Sequence, residues 1–227
     1  TFLLLIIFIL NNYSQDNFSV QNSNKTKKIS PNFIFILVDD LGWNELSVRM
    51  DPRNPLSQSN YIESPNLEKL ASEGMVFSNA YAPAPLCTPT RRSIQFGMTP
   101  ARQKGTEFES QFDPTPHLSI PQMLKKTNNE YVAAHYGKWG EVIVGTRQNP
   151  DSEKPGLPDK LGYDFSDGKT VNKTGTYYSR RDTSNYHRNF FCEPYDDPKL
   201  TFSVTKRACE FIENQNTTGK PFYLQVS

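Results

Sequence analysis

The sequence predicts an α/β protein built on a mainly parallel sheet. Two short, nearly continuous apolar runs, NFIFILV ahead of Asp39 and FYLQV after Pro221, suggest strands, and segments of helical periodicity such as SVTKRACEFIENQ stand between strand-like ones. A brief apolar run without polar alternation suits a strand covered on both faces, as parallel strands are. Strands and helices alternating along the chain favour helices packed on the two faces of such a sheet. With 227 residues the chain can bury a sizeable core, and it shows no internal repeat.

The first element is the apolar run TFLLLIIFIL, followed at once by an Asn-rich polar stretch. It is too short to span a bilayer and has the form of the apolar core of a secretory signal peptide. Residues 1–14 are therefore read as an incomplete leader, lacking an initiator Met and a basic start, and residues 15–30 as a polar linker. A buried strand beginning at residue 2 is the competing reading. The next run, Asn32 to Val38, is read as a central strand with Asp39 and Asp40 at its carboxyl end.

In ESPNLEKLASEG, Ser64 suits a cap and Pro65 the first helical position, while Leu67, Leu70 and Ala71 form the apolar stripe and Gly74 the stop. MVFSNAYA, residues 75–82, is strand-like. Pro89 suits the first turn of a helix running through Ile94, which places Cys87 at or just before a helix N-terminus. SIPQMLKKT reads as another capped helix, and YVAAHYGKW as a strand that delivers Gly137, Lys138 and Trp139 to its end. Residues 140–200, rich in Gly, Pro, Asp, Lys and Tyr, lack apolar periodicity and are expected to form a long surface excursion. Val204, Ala208, Phe211 and Ile212 then share one helical face ahead of the last strand.

The formal charge is +1, from 25 basic and 24 acidic residues spread along the chain. That balance argues against nucleic acid or a membrane surface as partner, and no stable membrane span is expected. Any anion the protein binds is held by a local cluster. A leader implies work outside the cytosol, in a secreted, periplasmic or lysosomal setting where disulfides are allowed. Of the three cysteines, Cys192 and Cys209 are then natural partners and Cys87 is left over. Sequons at Asn12, Asn17, Asn24, Asn172 and Asn216 carry little weight in a chain so rich in Asn.

Two carboxylates at a strand end repel each other unless a cation sits between them, and a hard divalent ion with oxygen ligands is the economical answer; a solvated turn or a helix cap is the plainer one. Cys87 begins CTPTRRS. The helix dipole and the charge of Arg91 and Arg92 favour an anion there, which suits a nucleophile, a redox thiol or a metal ligand, against the alternative of an inert buried cysteine. Arg91 stands four residues after Cys87, about one helical turn, so its guanidinium can return to the same site. The stretch from Tyr177 to Phe191, YYSRRDTSNYHRNFF, mixes aromatic rings and cations. It is read as a solvated loop in preference to a sugar-gripping surface.

Taken together, Cys87-Thr88-Pro89-Thr90-Arg91, the upstream LVDDLGW and SPNLEKLASEGMVFSNAYA and the downstream GKW resemble, in kind and in order, the motifs of the type I sulfatases. The resemblance covers about residues 31 to 227, which reads as the leading part of the catalytic domain. It implies an alkaline phosphatase-like sandwich, truncated on its C-terminal side. It also implies a sulfuric-ester hydrolase in which a formylglycine-generating enzyme oxidises Cys87 to Cα-formylglycine. By the same resemblance Asp39, Asp40 and the modified Cys87 hold a Ca²⁺ ion, Arg91 holds the formylglycine, and Lys138 neutralises charge on the sulfate. The substrate implied is a sulfated small molecule or glycan.

The sequence departs from the family pattern where Gly140 follows Trp139, a position commonly His, and where Phe96 replaces a small hydroxyl residue before Gly97. His135 is not expected to substitute, since an odd separation on a strand turns it away from Lys138. The general acid and the remaining metal ligands are expected after Ser227, so the chain as it stands here is expected to be inactive. A phosphoesterase or phosphonate hydrolase on the same fold, and an inactive homologue that binds sulfated glycans, are the alternative functions.

Overall fold

The computed structural model describes residues 30–107, 112–140, 156–168 and 201–227, together with the backbone of a strand at Leu4–Leu10. One sheet contains β1 (Leu4–Leu10), β2 (Asn32–Val38), β3 (Val132–Tyr136), β4 (Phe165–Ser166) and β5 (Phe222–Val226), in the order β1-β2-β5-β3-β4. The last four are mutually parallel, and β1 lies antiparallel against β2. Parallel neighbours need long crossovers. Helices α1 (Pro65–Glu73), α2 (Cys87–Phe96) and α3 (Ile120–Thr127) fall between β2 and β3, and α4 (Thr201–Thr218) precedes β5. This is the mainly parallel α/β architecture the sequence predicts.

Side-chain alternation explains why the strand sequences carry so few polar residues. Phe33, Phe35 and Leu37 of β2, Ala133 of β3 and Tyr223 of β5 meet Ile94 and Phe96 of α2 and Ile120 and Leu124 of α3. Ile34, Ala134, Phe222 and Leu224 turn to the other face, against Ala208, Phe211 and Ile212 of α4. With both faces covered, inward side chains of β2, β3 and β5 meet apolar neighbours on either side of the sheet. α1 packs apart from the sheet, where Leu67 and Ala71 cover a small cluster of Leu46, Val48 and Met50.

The helix signals hold in two places and change in a third. Ser119 and Gln122 form a reciprocal capping box at α3. α2 begins at Cys87 and stops at Gly97, whose φ of 61° is the left-handed conformation glycine tolerates. Ser64 makes no side-chain cap to α1, because its hydroxyl pairs with the Ser47 hydroxyl at 2.7 Å and accepts the Ser47 N–H at 3.0 Å.

Several expectations are corrected. No strand forms across residues 75–82, which run outside the sheet with Met75, Phe77 and Tyr81 exposed. The supposed excursion is not all surface: residues 156–168 return to the body, bury Leu161 and Tyr163 in the core and add β4 beside β3. The rest of 140–200, with the Tyr177–Phe191 stretch, lies outside the described residues apart from Gly140. Cys209 is exposed on α4, and the expected partner, Cys192, lies outside the described residues.

The apolar run read as a leader takes the form of the competing reading, a strand on the β2 edge. A run this rich in Ile and Leu satisfies its backbone on whatever strand edge is open. Its pairing describes the uncleaved chain; removal as a leader is a separate processing event, read by N-terminal sequencing. No helix among the described residues is long and apolar enough to cross a membrane.

Candidate active site

Val226, the last residue of β5, pairs with Tyr136 at the end of β3 and with Ile36 of β2, which runs on to Val38, so the three parallel strands end at the same edge of the sheet. The residues just past those ends are Asp39, Ser227 and the Gly137-Lys138 turn. Parallel sheets gather functional groups at this edge. Gly137 has φ of 93°, and a Cβ there would come within 2.0 Å of the Ser227 carbonyl oxygen. Only glycine fits. Lys138 N–H donates to that carbonyl at 2.9 Å, and Gly137 N–H donates to Asp167 Oδ2 at 2.7 Å.

From this turn the Lys138 ammonium reaches back to donate to the Asp39 carboxylate. Arg91 arrives from α2, where its side chain is 3% exposed, donates to the Lys138 carbonyl oxygen and lies 3.5 Å from Asp39 Oδ2. Cys87, the first residue of the same helix, is half-buried. Asp39, Arg91 and Lys138 therefore meet directly, with Cys87 at the helix start one turn from Arg91. Asp40 is exposed, holds a left-handed φ of 56°, and joins none of them in a hydrogen bond among the described residues.

The electrostatics follow from this contact. Burial pushes the Asp39 carboxyl up, but the hydrogen bond from Lys138 and the charges of Arg91 and Lys138 outweigh it and leave the group below the usual carboxylate value. Burial pulls the Arg91 guanidinium down from its ordinary value, opposed by Asp39 and Cys87. Two cations aimed at one carboxylate make a place where an added anion is also welcome.

Asp39 and Asp40 offer ionised or exposed oxygen donors of the kind a hard divalent cation takes. They fit such an ion by donor chemistry and would supply two of its ligands. No group of three His, Cys, Asp or Glu residues with metal-binding geometry exists among the described residues, so the other ligands would come from outside them.

With this geometry in view, the comparisons with known proteins decide the family. The Sulfatase family matches over residues 31–227. The chain belongs to the sulfatase family. It is 27% identical to the N-acetylgalactosamine-6-sulfatase of Mus musculus, over 86% of this chain and 38% of that protein. It is 29% identical to the Arylsulfatase G of Rattus norvegicus, over 90% of this chain and 41% of that protein. The crystal structure of Ps i-CgsB shares the fold with a TM-score of 0.58 at 20% identity, covering 86% of this chain and 44% of that one. The chain thus spans about two fifths of the curated relatives it matches.

Within this sulfatase-family chain, His135 is buried away from the role of a substitute, but strand alternation is not the reason. β3 ends at Tyr136, so strand alternation does not extend to Lys138. His135 lies wholly buried, with Trp139 and Tyr163 edge-on to it. Burial, and then the charge of Arg91, lower its pKa to about 3, so the ring is neutral at ordinary pH and does not serve as an imidazolium acid.

Two supports of the site escaped sequence reasoning. Gln225 Oε1 accepts from Gln95 Nε2 and from Tyr163 OH, both at 2.8 Å, tying α2 to β5 and the 156–168 stretch. The visible signal was a glutamine between apolar neighbours, Ile94 and Phe96 in one case and Leu224 and Val226 in the other. The other support is Asp167, which sits in a Gly- and Ser-flanked loop and gave no signal.

Proposed function

We propose that the intact protein hydrolyses organic sulfate esters, a sulfated carbohydrate above all, through a formylglycine made from Cys87. The observation that carries this reading is the convergence of Arg91 and Lys138 at Asp39, beside the helix that starts with Cys87. Hydrated formylglycine presents two hydroxyls. One attacks sulfur, the S–O bond to the alcohol breaks, and the alcohol leaves with a proton. The other hydroxyl loses its proton, the C–O bond to sulfate breaks, and the aldehyde is restored as sulfate departs. A plain serine or thiol lacks this exit, which is why the position needs a modifiable cysteine.

Arg91 orients the nucleophile, and Lys138 meets negative charge on the sulfate head. Asp39 and Asp40, with an oxygen of the modified Cys87, would hold Ca²⁺, which when bound polarises sulfate oxygens. This chemistry implies a formylglycine-generating enzyme as maturation partner and a secreted, periplasmic or lysosomal location reached by way of the leader.

One observation favours a second reading, an inactive homologue that binds sulfated glycans. Gly140, where the family commonly has His, is buried at a left-handed φ of 80° that a histidine would adopt only with strain. Turnover of matched aryl sulfate and aryl phosphate esters by intact protein made with the modifying enzyme separates the possibilities. Preferential sulfate release supports the proposal, phosphate preference assigns a phosphoesterase, and glycan binding without turnover assigns the inactive homologue.

A further inference from the structure

We infer that Asp167 is a positioning residue for Lys138, acting through the backbone of the Gly137 turn; the inference rests on reading Lys138 as the group that meets the sulfate. Asp167 follows β4, and its own N–H donates to the His135 carbonyl at 3.2 Å, which extends the β3–β4 pairing by one residue. Its side chain is 9% exposed, and one oxygen, Oδ2, accepts from Gly137 N–H at 2.7 Å and from Arg207 at 2.8 Å. A carboxylate this buried is tolerable only with such partners.

Arg207 comes from α4, which Ala208 and Phe211 seat on the opposite face from α2. Its guanidinium carbon lies 5.9 Å from the centre of the Tyr136 ring, the residue before the turn. The part-buried ion pair thus holds Asp167 from α4.

The consequence falls on Lys138. Glycine is the most permissive backbone unit, and the position of the Lys138 Cα sets the region that its flexible stem lets the ammonium reach. Here two successive amides are pinned from two sides: Gly137 N–H by Asp167, and Lys138 N–H by the Ser227 carbonyl. Loss of the Asp167 acceptor leaves the turn held on one side only. A displacement of about 1 Å at a reacting group can cost about 100-fold in rate.

The test uses Asp167→Ala and Asp167→Asn in the intact protein, since asparagine keeps an oxygen for Gly137 N–H. Lysine acetylation is followed by peptide mass spectrometry, with kcat and KM for an aryl sulfate measured on the same preparations. In Asp167→Ala, Lys138 is expected to acetylate about fivefold faster or more while Lys125 and Lys206 keep their rates. Its kcat is expected to fall about 10- to 100-fold at nearly constant KM, with Asp167→Asn restoring most of both. Uniform acceleration at all three lysines, or an unchanged Lys138, overturns the inference.

Amide exchange in the wild-type protein supplies an arm that no folding failure can remove. Gly137 N–H is expected to be as protected as the β3 amides, and rapid exchange there also overturns the inference. If the labelling pattern holds and no sulfate ester turns over, the role of Lys138 in sulfate chemistry fails and the Asp167 inference stands. Normal sulfate turnover with flat labelling gives the reverse.

Discussion

His135 makes the stability of this protein depend on pH in a way the structure quantifies. The imidazole is fully buried, its Nδ1 has no hydrogen-bond partner among the described residues, and its Nε2 lies 3.4 Å from the Ser227 hydroxyl. Its folded pKa is lowered to about 3. In the unfolded chain it takes a proton below about pH 6.5. Protons therefore bind the unfolded state first, and the stability contributed by the neutral buried ring is complete above about pH 6.5 and is lost as pH falls toward the folded value. At pH 5, about 1.5 units into that window, the loss is about 2 kcal/mol. Urea unfolding at pH 7.5 and pH 5.0, on the wild type and on His135→Gln, measures it as a difference of differences in which other groups cancel. The wild type is expected to lose about 2 kcal/mol more than the variant between the two pH values. Equal losses would show that the ring is solvated or already charged, and would refute the reasoning.

The remaining predictions concern the site. Lys138→Ala in the intact protein lowers kcat/KM by about 100-fold and leaves the melting temperature nearly unchanged, since a partly exposed ion pair adds little stability; steady-state kinetics and calorimetry on one preparation check both. Asp39→Asn and Asp40→Asn each weaken calcium binding by about tenfold or more in isothermal titration, and unchanged affinity in both returns the pair to an ordinary turn. Gly137→Ala destabilises by about 2–4 kcal/mol in denaturant unfolding, because the new methyl meets the Ser227 carbonyl and the residue must keep a positive φ.

What the sequence disclosed follows from the range of each interaction. The strands at Asn32 and Phe222 were legible because burial on both faces leaves an unbroken apolar run. The start of α2 was legible because Pro89 fits only the first turn of a helix, and that placed Cys87 correctly. Asp39, Arg91 and Lys138 stood out because each lies in a short motif, and the structure brings them into contact across 52 and 99 positions. Interactions without a local signature stayed hidden. The Ser64 hydroxyl went to Ser47 across 17 residues in place of its own helix, and the 156–168 stretch carries too few apolar residues to announce that Tyr163 enters the core. Gln95 and Gln225, 130 residues apart, satisfy each other in a way no periodicity encodes.

The reading of this site stands or falls on the chemical state of position 87. Mass analysis of the peptide containing Cys87, isolated from native material and treated with a carbonyl-reactive label, reports it directly. The expected result is an aldehyde in place of the thiol, capturing the label at residue 87. A free thiol that alkylates in full and takes up no carbonyl label would contradict the proposed nucleophile, and with it the route from this helix N-terminus to sulfate ester hydrolysis.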